Sequence, residues 1–263
     1  MTNPPSYCEN STITEAWLSI IGMPGPVDKF GASALAHVAM EEIPGLVETP
    51  AVAIVTGPTD LIAPFWEKQF SWGADRYAVR FGHRYMSIHF VRRAGSDRYD
   101  RFATSLEPWT VKWLELYANA LKKAAPSQRV DRIGFGYVNT FNFPLEDFEF
   151  PAFFKLDLSL DVEAPNAGLL GLTSSFHFRE STGAYVRIEL SAEPRGDETI
   201  SVVTKVLAEL RDLDEVSFAD TARLLPLIKD AKAAAKRTFF NFATKRTHDI
   251  MGARYDNADP DLG

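Results

Sequence analysis

The sequence predicts an α+β fold with a mainly antiparallel sheet and long helices packed on it. Three observations support this prediction. Several segments alternate apolar and polar residues with the period of a half-buried strand, and others repeat apolar residues with the period of a helix. The strands come in runs that each end in a helix, without the βαβ rhythm of a parallel sheet. We therefore predict two strand-plus-helix halves, residues 1–145 and 146–255, and a disordered tail over residues 256–263.

The first half begins with a strand and a helix. Residues 11–22 have the composition of a strand and precede a Pro-Gly turn. Residues 28–45 predict a helix that a second Pro-Gly pair ends. Residues 49–58 predict a short apolar strand between prolines. The shared apolar face of the predicted helix is formed by Leu35, Val38 and Ala39.

A hairpin and a tryptophan-rich helix complete the first half. Residues 75–93 alternate on both sides of a turn near Gly82, which is typical of a hairpin. Residues 105–128 carry Ser105 as a candidate N-cap and end near Pro126, so they predict a helix. Its apolar stripe repeats every four residues and consists of Trp109, Trp113, Tyr117 and Leu121.

The second half contains most of the remaining predicted strands. Residues 153–162 alternate perfectly, and residues 168–180 and 183–194 follow as a meander with one polar face. Residues 200–213 are ambiguous between a strand and a strand-to-helix step. Residues 218–251 predict one long closing helix. The predicted caps of this helix are Asp220 and Gly252.

The strand at residues 132–144 joins the halves and has an unusual composition. One face is apolar apart from Asn139, and the opposite face carries Gly134 and Gly136. We predict a structural role for Tyr137 and Asn139, with the amide buried and bonded to a neighbouring loop or bulge. The glycines would let a helix pack closely on their face. The alternative is that Asn139 anchors a ligand beneath the sheet.

The arginine-rich hairpin, the tryptophan-rich helix and this strand together resemble a sporadically distributed bacterial family of uncharacterised proteins. Members carry a strand of the form Arg-apolar-Gly-apolar-x-Tyr-apolar-Asn, which matches residues 132–139 here. Residues 237–252 are also similar to the family's final helix. The resemblance covers most of the chain and implies a fold, but no catalytic residues. A patchy distribution is typical of accessory, defence or toxin–antitoxin genes.

Composition excludes several classes of protein. Cys8 is the one cysteine, so an internal disulfide framework is excluded, which fits a reducing compartment. The N-terminus lacks a secretion signal, and no apolar run approaches the roughly 20 residues that span a bilayer. We therefore expect a cytoplasmic protein without a membrane partner. The net charge of −7 argues against a nucleic-acid coat.

A search for catalytic motifs favours a protein without a catalytic centre, metal or cofactor. The sequence contains no G-x-S-x-G elbow, no P-loop, and no histidine pair with the i, i+4 spacing of a helical zinc site. The rival hypothesis is an enzyme whose site assembles from distant residues. Its candidate residues are Arg80, His89, His177 and Glu189.

The distribution of charge leads to the functional hypothesis. Residues 76–101 and 222–254 are basic, whereas residues 146–198 are acidic. We predict a binding or regulatory protein that recognises a protein partner, such as an antitoxin, immunity protein or defence accessory. The alternatives are nucleic-acid binding through the same basic residues and a homodimer formed by the aromatic strands. The predicted contact residues are Arg76, Arg80 and Arg84 on the hairpin, and Lys232, Lys236 and Arg237 on the last helix.

Overall fold

The structure is a computed structural model. The strand predicted at residues 49–58, most of the strand predicted at residues 153–162 and the C-terminal tail lie outside the residues that it describes. The described residues are 4–5, 7–23, 32–49, 68–82, 84–92, 102–124, 128–145, 148–155, 172–196 and 198–254.

The elements follow the predicted succession of strands and helices. The first part of the chain contains β1 (Tyr7–Cys8), β2 (Ile13–Gly22), α1 (Ala32–Glu42), β3 (Val47–Glu48), β4 (Lys68–Trp72), β5 (Tyr77–Gly82), β6 (Tyr85–Val91), α2 (Phe102–Ser105) and α3 (Glu107–Ala124). The second part contains β7 (Val130–Pro144), α4 (Phe150–Phe153), β8 (Leu172–Arg179), β9 (Tyr185–Arg195), β10 (Thr199–Arg211), α5 (Thr221–Phe242), α6 (Lys245–Ile250) and β11 (Ala253–Arg254).

Nine of the described strands form one antiparallel sheet, so the α+β prediction is confirmed. The strand order is β3-β4-β5-β6-β2-β7-β10-β9-β8, which puts β2 and β7 side by side in the middle. Strands β1 and β11 form a separate pair that joins the two ends of the described chain. The antiparallel arrangement explains the alternating sequences, because strands such as β2 and β9 bury one face only, whereas β6 buries residues on both faces.

The helices pack on one face of this sheet, which we call the helix-covered face. Phe81 of β5 contacts Trp113 of α3, with ring centroids 5.8 Å apart, and Phe141 of β7 stacks on Phe239 of α5 at 6.5 Å. The opposite face, which carries Trp17, is called the polar face. None of the described helices is both long and apolar enough to cross a bilayer.

Two details of the predicted elements are wrong, and one open alternative is decided in favour of a strand. The closing helix is interrupted at Ala243, whose φ of −69° and ψ of 149° are extended, because this residue bridges to Phe154. Residues 199–211 are a strand throughout, since β10 pairs with β7 on one side and β9 on the other. Val38 is 41% exposed, so the buried face of α1 is formed by Leu35 and alanines.

Candidate binding surface on the polar face

The glycines of β7 make room for side chains of β2, Gly136 for Trp17 and Gly134 for Ser19, and not for a helix as the sequence predicted. A Cβ atom on Gly136 would lie 2.2 Å from Cζ2 of the Trp17 indole. Trp17 is paired with Gly136 on one side and with His89 on the other. The indole therefore lies over the backbone of β7 in the middle of the polar face, because only glycine permits so close an approach. Lys205 holds its ammonium 5.6 Å from the indole centroid.

Asn139 lies on the helix-covered face and is 2% exposed. Its Oδ1 accepts a hydrogen bond of 3.1 Å from the Thr12 hydroxyl. The pairing of β2 with β7 shifts register beside it, between Ile13 and Glu15. The amide thus connects β7 to an irregular part of β2. Tyr137 is also buried, with its ring 5.1 Å from that of Phe135.

A chain of hydrogen bonds joins three polar side chains of β2 and β6 on the polar face. The Ser87 hydroxyl lies 3.0 Å from Nε2 of His89, and Nδ1 of His89 lies 3.0 Å from Oε1 of Glu15. Ser87 has no exposed surface and His89 is 8% exposed. We call Glu15, Ser87 and His89 the His89 network. Strand pairing explains it, since Ser87 and His89 are two residues apart on one strand and share a face.

Burial and charge act in opposite directions in the His89 network. Burial lowers the pKa of His89 below its ordinary value, against the effect of Glu15. Burial alone would raise the pKa of Glu15, but the hydrogen bond and charge of His89, with Arg80 and Lys205, lower it. At neutral pH the imidazole is therefore neutral. Because the carboxylate can only accept, Nδ1 carries the proton and Nε2 accepts from Ser87.

A groove of about 590 Å³ opens on the polar face at the other end of the sheet. Four arginines line it, whereas Glu209 is the one carboxylate among its lining residues. The arginines come from β7, β8, β9 and β10 and meet there because the antiparallel register aligns alternate residues on one face. We call this site the arginine groove. The lining residues that define it are Arg132, Arg179, Arg187, Arg211, Tyr185 and Glu209.

Within the arginine groove, Tyr185 lies between two guanidinium groups. The guanidinium carbons of Arg179 and Arg211 lie 5.1 Å and 4.3 Å from the ring centroid. Strand β9 runs between β8 and β10, so the two arginines approach the ring from opposite sides. Glu209 accepts hydrogen bonds of 3.2 Å and 2.5 Å from Arg211. The arginines are therefore held in defined orientations by stacking and hydrogen bonds.

The six basic residues predicted to form one contact surface are not brought together. Arg80 lies on the polar face, where its Nε donates to Gln69 at 2.8 Å. Lys232 belongs to α5 on the helix-covered face and is only 7% exposed, with its ammonium 5.6 Å from the Phe102 ring centroid. Arg237 forms two hydrogen bonds with Glu180, of 3.1 Å and 2.8 Å. The three remaining residues, Arg76, Arg84 and Lys236, are half-buried.

The residues of the rival enzyme hypothesis do not converge either. His89 and His177 lie on β6 and β8, five strand steps apart in the sheet order. At a strand spacing of about 4.8 Å this is roughly 24 Å. Glu189 forms ion pairs with Arg187 and Lys205 instead. In the described part of the chain, no group of three His, Cys, Asp or Glu side chains has the geometry of a metal site.

Sequence reasoning missed Glu15, Ser87 and most of the arginine groove. The Ser-x-His spacing in β6 signals that Ser87 and His89 share a face, but Glu15 is distant in sequence and its proximity depends on strand register. The alternation of Tyr185 with Arg187 in β9 marks a polar face with an aromatic residue. The neighbouring strand β10 had been ambiguous, so Arg211 had no assigned face.

Comparison with known proteins adds no assignment. No protein-family model, curated protein or solved structure matches this chain.

Proposed function

We propose that this protein is a cytoplasmic, non-catalytic binding or regulatory protein that recognises an acidic protein partner through the arginine groove. An antitoxin, an immunity protein or a defence accessory has this type of activity, in line with the bacterial family that the sequence resembles. The proposal replaces the contact surface predicted from sequence, since those six residues lie on two faces of the sheet. It keeps the predicted class of partner.

The observation that carries the proposal is the excess of arginine in one open groove. Arg187 and Arg132 have side chains that are 35% and 31% exposed, and Arg211 is 40% exposed. Glu189 and Asp131, which are not among the lining residues, form ion pairs with Arg187 and Arg132. The excess of charge in the groove therefore comes from Arg179 and from Arg211, which shares Glu209 with Arg132. Clefts that concentrate one sign of charge attract partners of the opposite sign and raise association rates.

The aromatic rings favour a protein over single-stranded nucleic acid. Nucleic-acid platforms stack bases on open aromatic faces. Here Tyr185 is flanked by two arginines, and Trp17 lies beneath Lys205. Stacked guanidinium groups direct their N–H donors outward, which suits carboxylates.

Affinity capture from the native host, with and without nuclease, tests the proposed function. We expect a protein in stoichiometric amount, whose recovery survives nuclease and decreases as salt rises. Recovery of RNA or DNA without a protein would support the nucleic-acid alternative. Recovery of the chain itself, at a mass corresponding to two copies, would support the homodimer.

The His89 network favours a second candidate function, that of an acyl-transfer enzyme. Its hydrogen bonds have the order of a serine–histidine–carboxylate triad. In such a reaction the Ser87 oxygen attacks a carbonyl carbon, its proton passes to His89, and the leaving group takes that proton. Water then hydrolyses the acyl-serine. The complete burial of Ser87 favours the binding function, since a substrate must first reach the hydroxyl.

A serine-directed fluorophosphonate probe decides between these two functions. The binding proposal predicts that neither the folded wild type nor Ser87→Ala gains the mass of the probe. Labelling that disappears in Ser87→Ala, while the variant keeps its melting temperature, would support the enzyme instead.

We also propose that the two halves are diverged copies of one unit. On either side of the central β2–β7 pair, the next strand outward is the last long strand of its half, β6 or β10. The strands then run backward in sequence toward each edge, and α3 or α5 follows the last strand. In this arrangement β7 begins the second unit, so the boundary lies before β7 and not at residue 145 as predicted from sequence. Separate expression of residues 1–126 and 127–254 tests this idea. Two soluble halves that reassemble on mixing would support it, whereas insoluble halves would oppose it.

A further inference from the structure

We infer that the arginine groove recognises the planar geometry of carboxylate groups, and that its ligand is an extended segment rich in Asp and Glu. This inference rests on the proposed function and adds the chemistry of the partner. The inference rests on the contacts that fix the orientation of the arginines. A basic patch that acts through charge alone would not require oriented guanidinium groups.

Two guanidinium groups of the groove are held in fixed positions. Arg179 and Arg211 stack on Tyr185, and each also donates from Nε, Arg179 to the Gly183 carbonyl at 3.2 Å and Arg211 to Glu209 at 3.2 Å. Stacking and the Nε hydrogen bond together fix the plane of a guanidinium. A planar, oriented fork matches a carboxylate in a bidentate manner.

These contacts use only some of the guanidinium donors. A guanidinium carries five N–H donors. The hydrogen bond of Arg179 to Gly183 uses one of them, and those of Arg211 to Glu209 use its Nε and Nη2 groups. Both arginines are exposed residues, and Arg187 is half-buried beside them. Arg179 and Arg211 can therefore each receive a carboxylate without breaking the contacts that orient them, and Arg187 can do so beside its ion pair with Glu189.

The spacing of the arginines along neighbouring strands suits an extended ligand. Arg179 pairs with Tyr185 across β8 and β9, whereas Arg187 lies two residues further along β9 and faces His177. Diagonal neighbours of this kind on adjacent antiparallel strands are about 7–8 Å apart. An extended acidic segment presents its alternate carboxylates at a similar repeat of about 6.6 Å, so it can contact both arginines at once.

The test compares binding of two probes with equal numbers of negative charges, a polyglutamate peptide and an oligothymidylate, to the purified full-length protein. We expect the peptide to bind more tightly than the oligonucleotide. Arg211→Lys keeps the charge but loses the planar fork, so it should weaken peptide binding about tenfold or more. The matched control is Arg223→Lys, an exposed arginine of α5 on the opposite face, which should bind like the wild type.

The outcomes separate this inference from the proposed function. Tighter binding of the oligonucleotide, or peptide binding that is unchanged in Arg211→Lys, would overturn carboxylate recognition. If Arg211→Lys captures the cellular partner normally while Arg211→Glu does not, the groove is the contact surface but acts through charge. If neither variant changes capture, the proposed function is wrong as well.

Discussion

The two ends of the polar face carry charged clusters that are built in opposite ways. The His89 network joins a histidine, a serine and a carboxylate in a buried chain of hydrogen bonds. The arginine groove spreads four arginines around one carboxylate in an open cleft of about 590 Å³. Burial favours neutral groups and complete hydrogen bonding, whereas exposure allows an excess of charge. The exposed cluster is therefore suited to binding a partner, whereas the buried cluster is suited to holding β2 and β6 together.

The largest effect on stability is expected from removing the imidazole. His89→Ala removes the imidazole hydrogen bonds of the Ser87 hydroxyl and the Glu15 carboxylate and opens a cavity. We expect the free energy of unfolding to decrease by about 3 kcal/mol. The matched change in the arginine groove is Arg187→Ala, which removes a surface ion pair and should cost less than about 1 kcal/mol. Chemical denaturation measures both, and equal losses would contradict the contrast between the two clusters.

Gly136 lies between the two clusters, and its substitution tests whether Trp17 requires a glycine there. Gly136→Ala places a Cβ atom against the Trp17 indole, so we expect a loss of about 2 kcal/mol in the free energy of unfolding. Gly134→Ala is the control, because its Cβ would meet the small Ser19 hydroxyl at 2.9 Å, and it should cost less. In a Trp17→Ala background the cost of Gly136→Ala should fall. An undiminished cost there would mean that Trp17 is not the reason for the glycine.

The pH dependence of stability should report the His89 network together with His248, whose pKa burial also lowers. The pKa of His89 is lower in the folded than in the unfolded protein, so the unfolded state binds more protons below about pH 6.5. Stability should therefore fall as the pH drops from about 7 to about 5. The loss is about 1.4 kcal/mol for each unit by which folding lowers the pKa of His89. Glu15 contributes its own loss only at more acidic pH. His89→Gln should flatten the profile, and an unchanged slope would refute this assignment.

The smallest effect on stability is expected in the groove. Arg211 is exposed and the side chain of Arg187 is 35% exposed, so Arg187→Glu and Arg211→Glu should each alter the free energy of unfolding by less than about 1 kcal/mol. Thermal unfolding measures this. A large loss at either position would indicate that the arginines hold the sheet together, and it would remove the main support for a binding role.

Much of the fold was predictable because its strands alternate. The pattern at residues 132–144 correctly assigned the apolar face of β7, from Ile133 to Phe143. The pairing partners were not predictable, since Trp17 and Gly136 are distant in sequence and meet only through strand register. The break at Ala243 depends on a bridge to Phe154, which helical periodicity does not encode.

The candidate site was less predictable than the fold. Counting charges along the chain identified basic segments, but it could not separate exposed from buried residues. Lys232 is basic in sequence and buried in the structure, whereas Arg187 lies in an acidic segment and lines the groove. The arginine groove depends on the alignment of four strands, of which β10 had no assigned state. The net charge of a sequence segment is therefore a poor guide to the charge of a protein surface when neighbouring strands of an antiparallel sheet come from different segments.

The most direct test of the central claim is capture of the partner by charge-reversed variants. The double variant Arg187→Glu/Arg211→Glu should lose the nuclease-resistant protein partner while keeping the wild-type melting temperature. The control Arg223→Glu, on the helix-covered side, should recover the partner in stoichiometric amount. Full recovery by the double variant, or equal loss in the control, would contradict the assignment of the arginine groove as the contact surface.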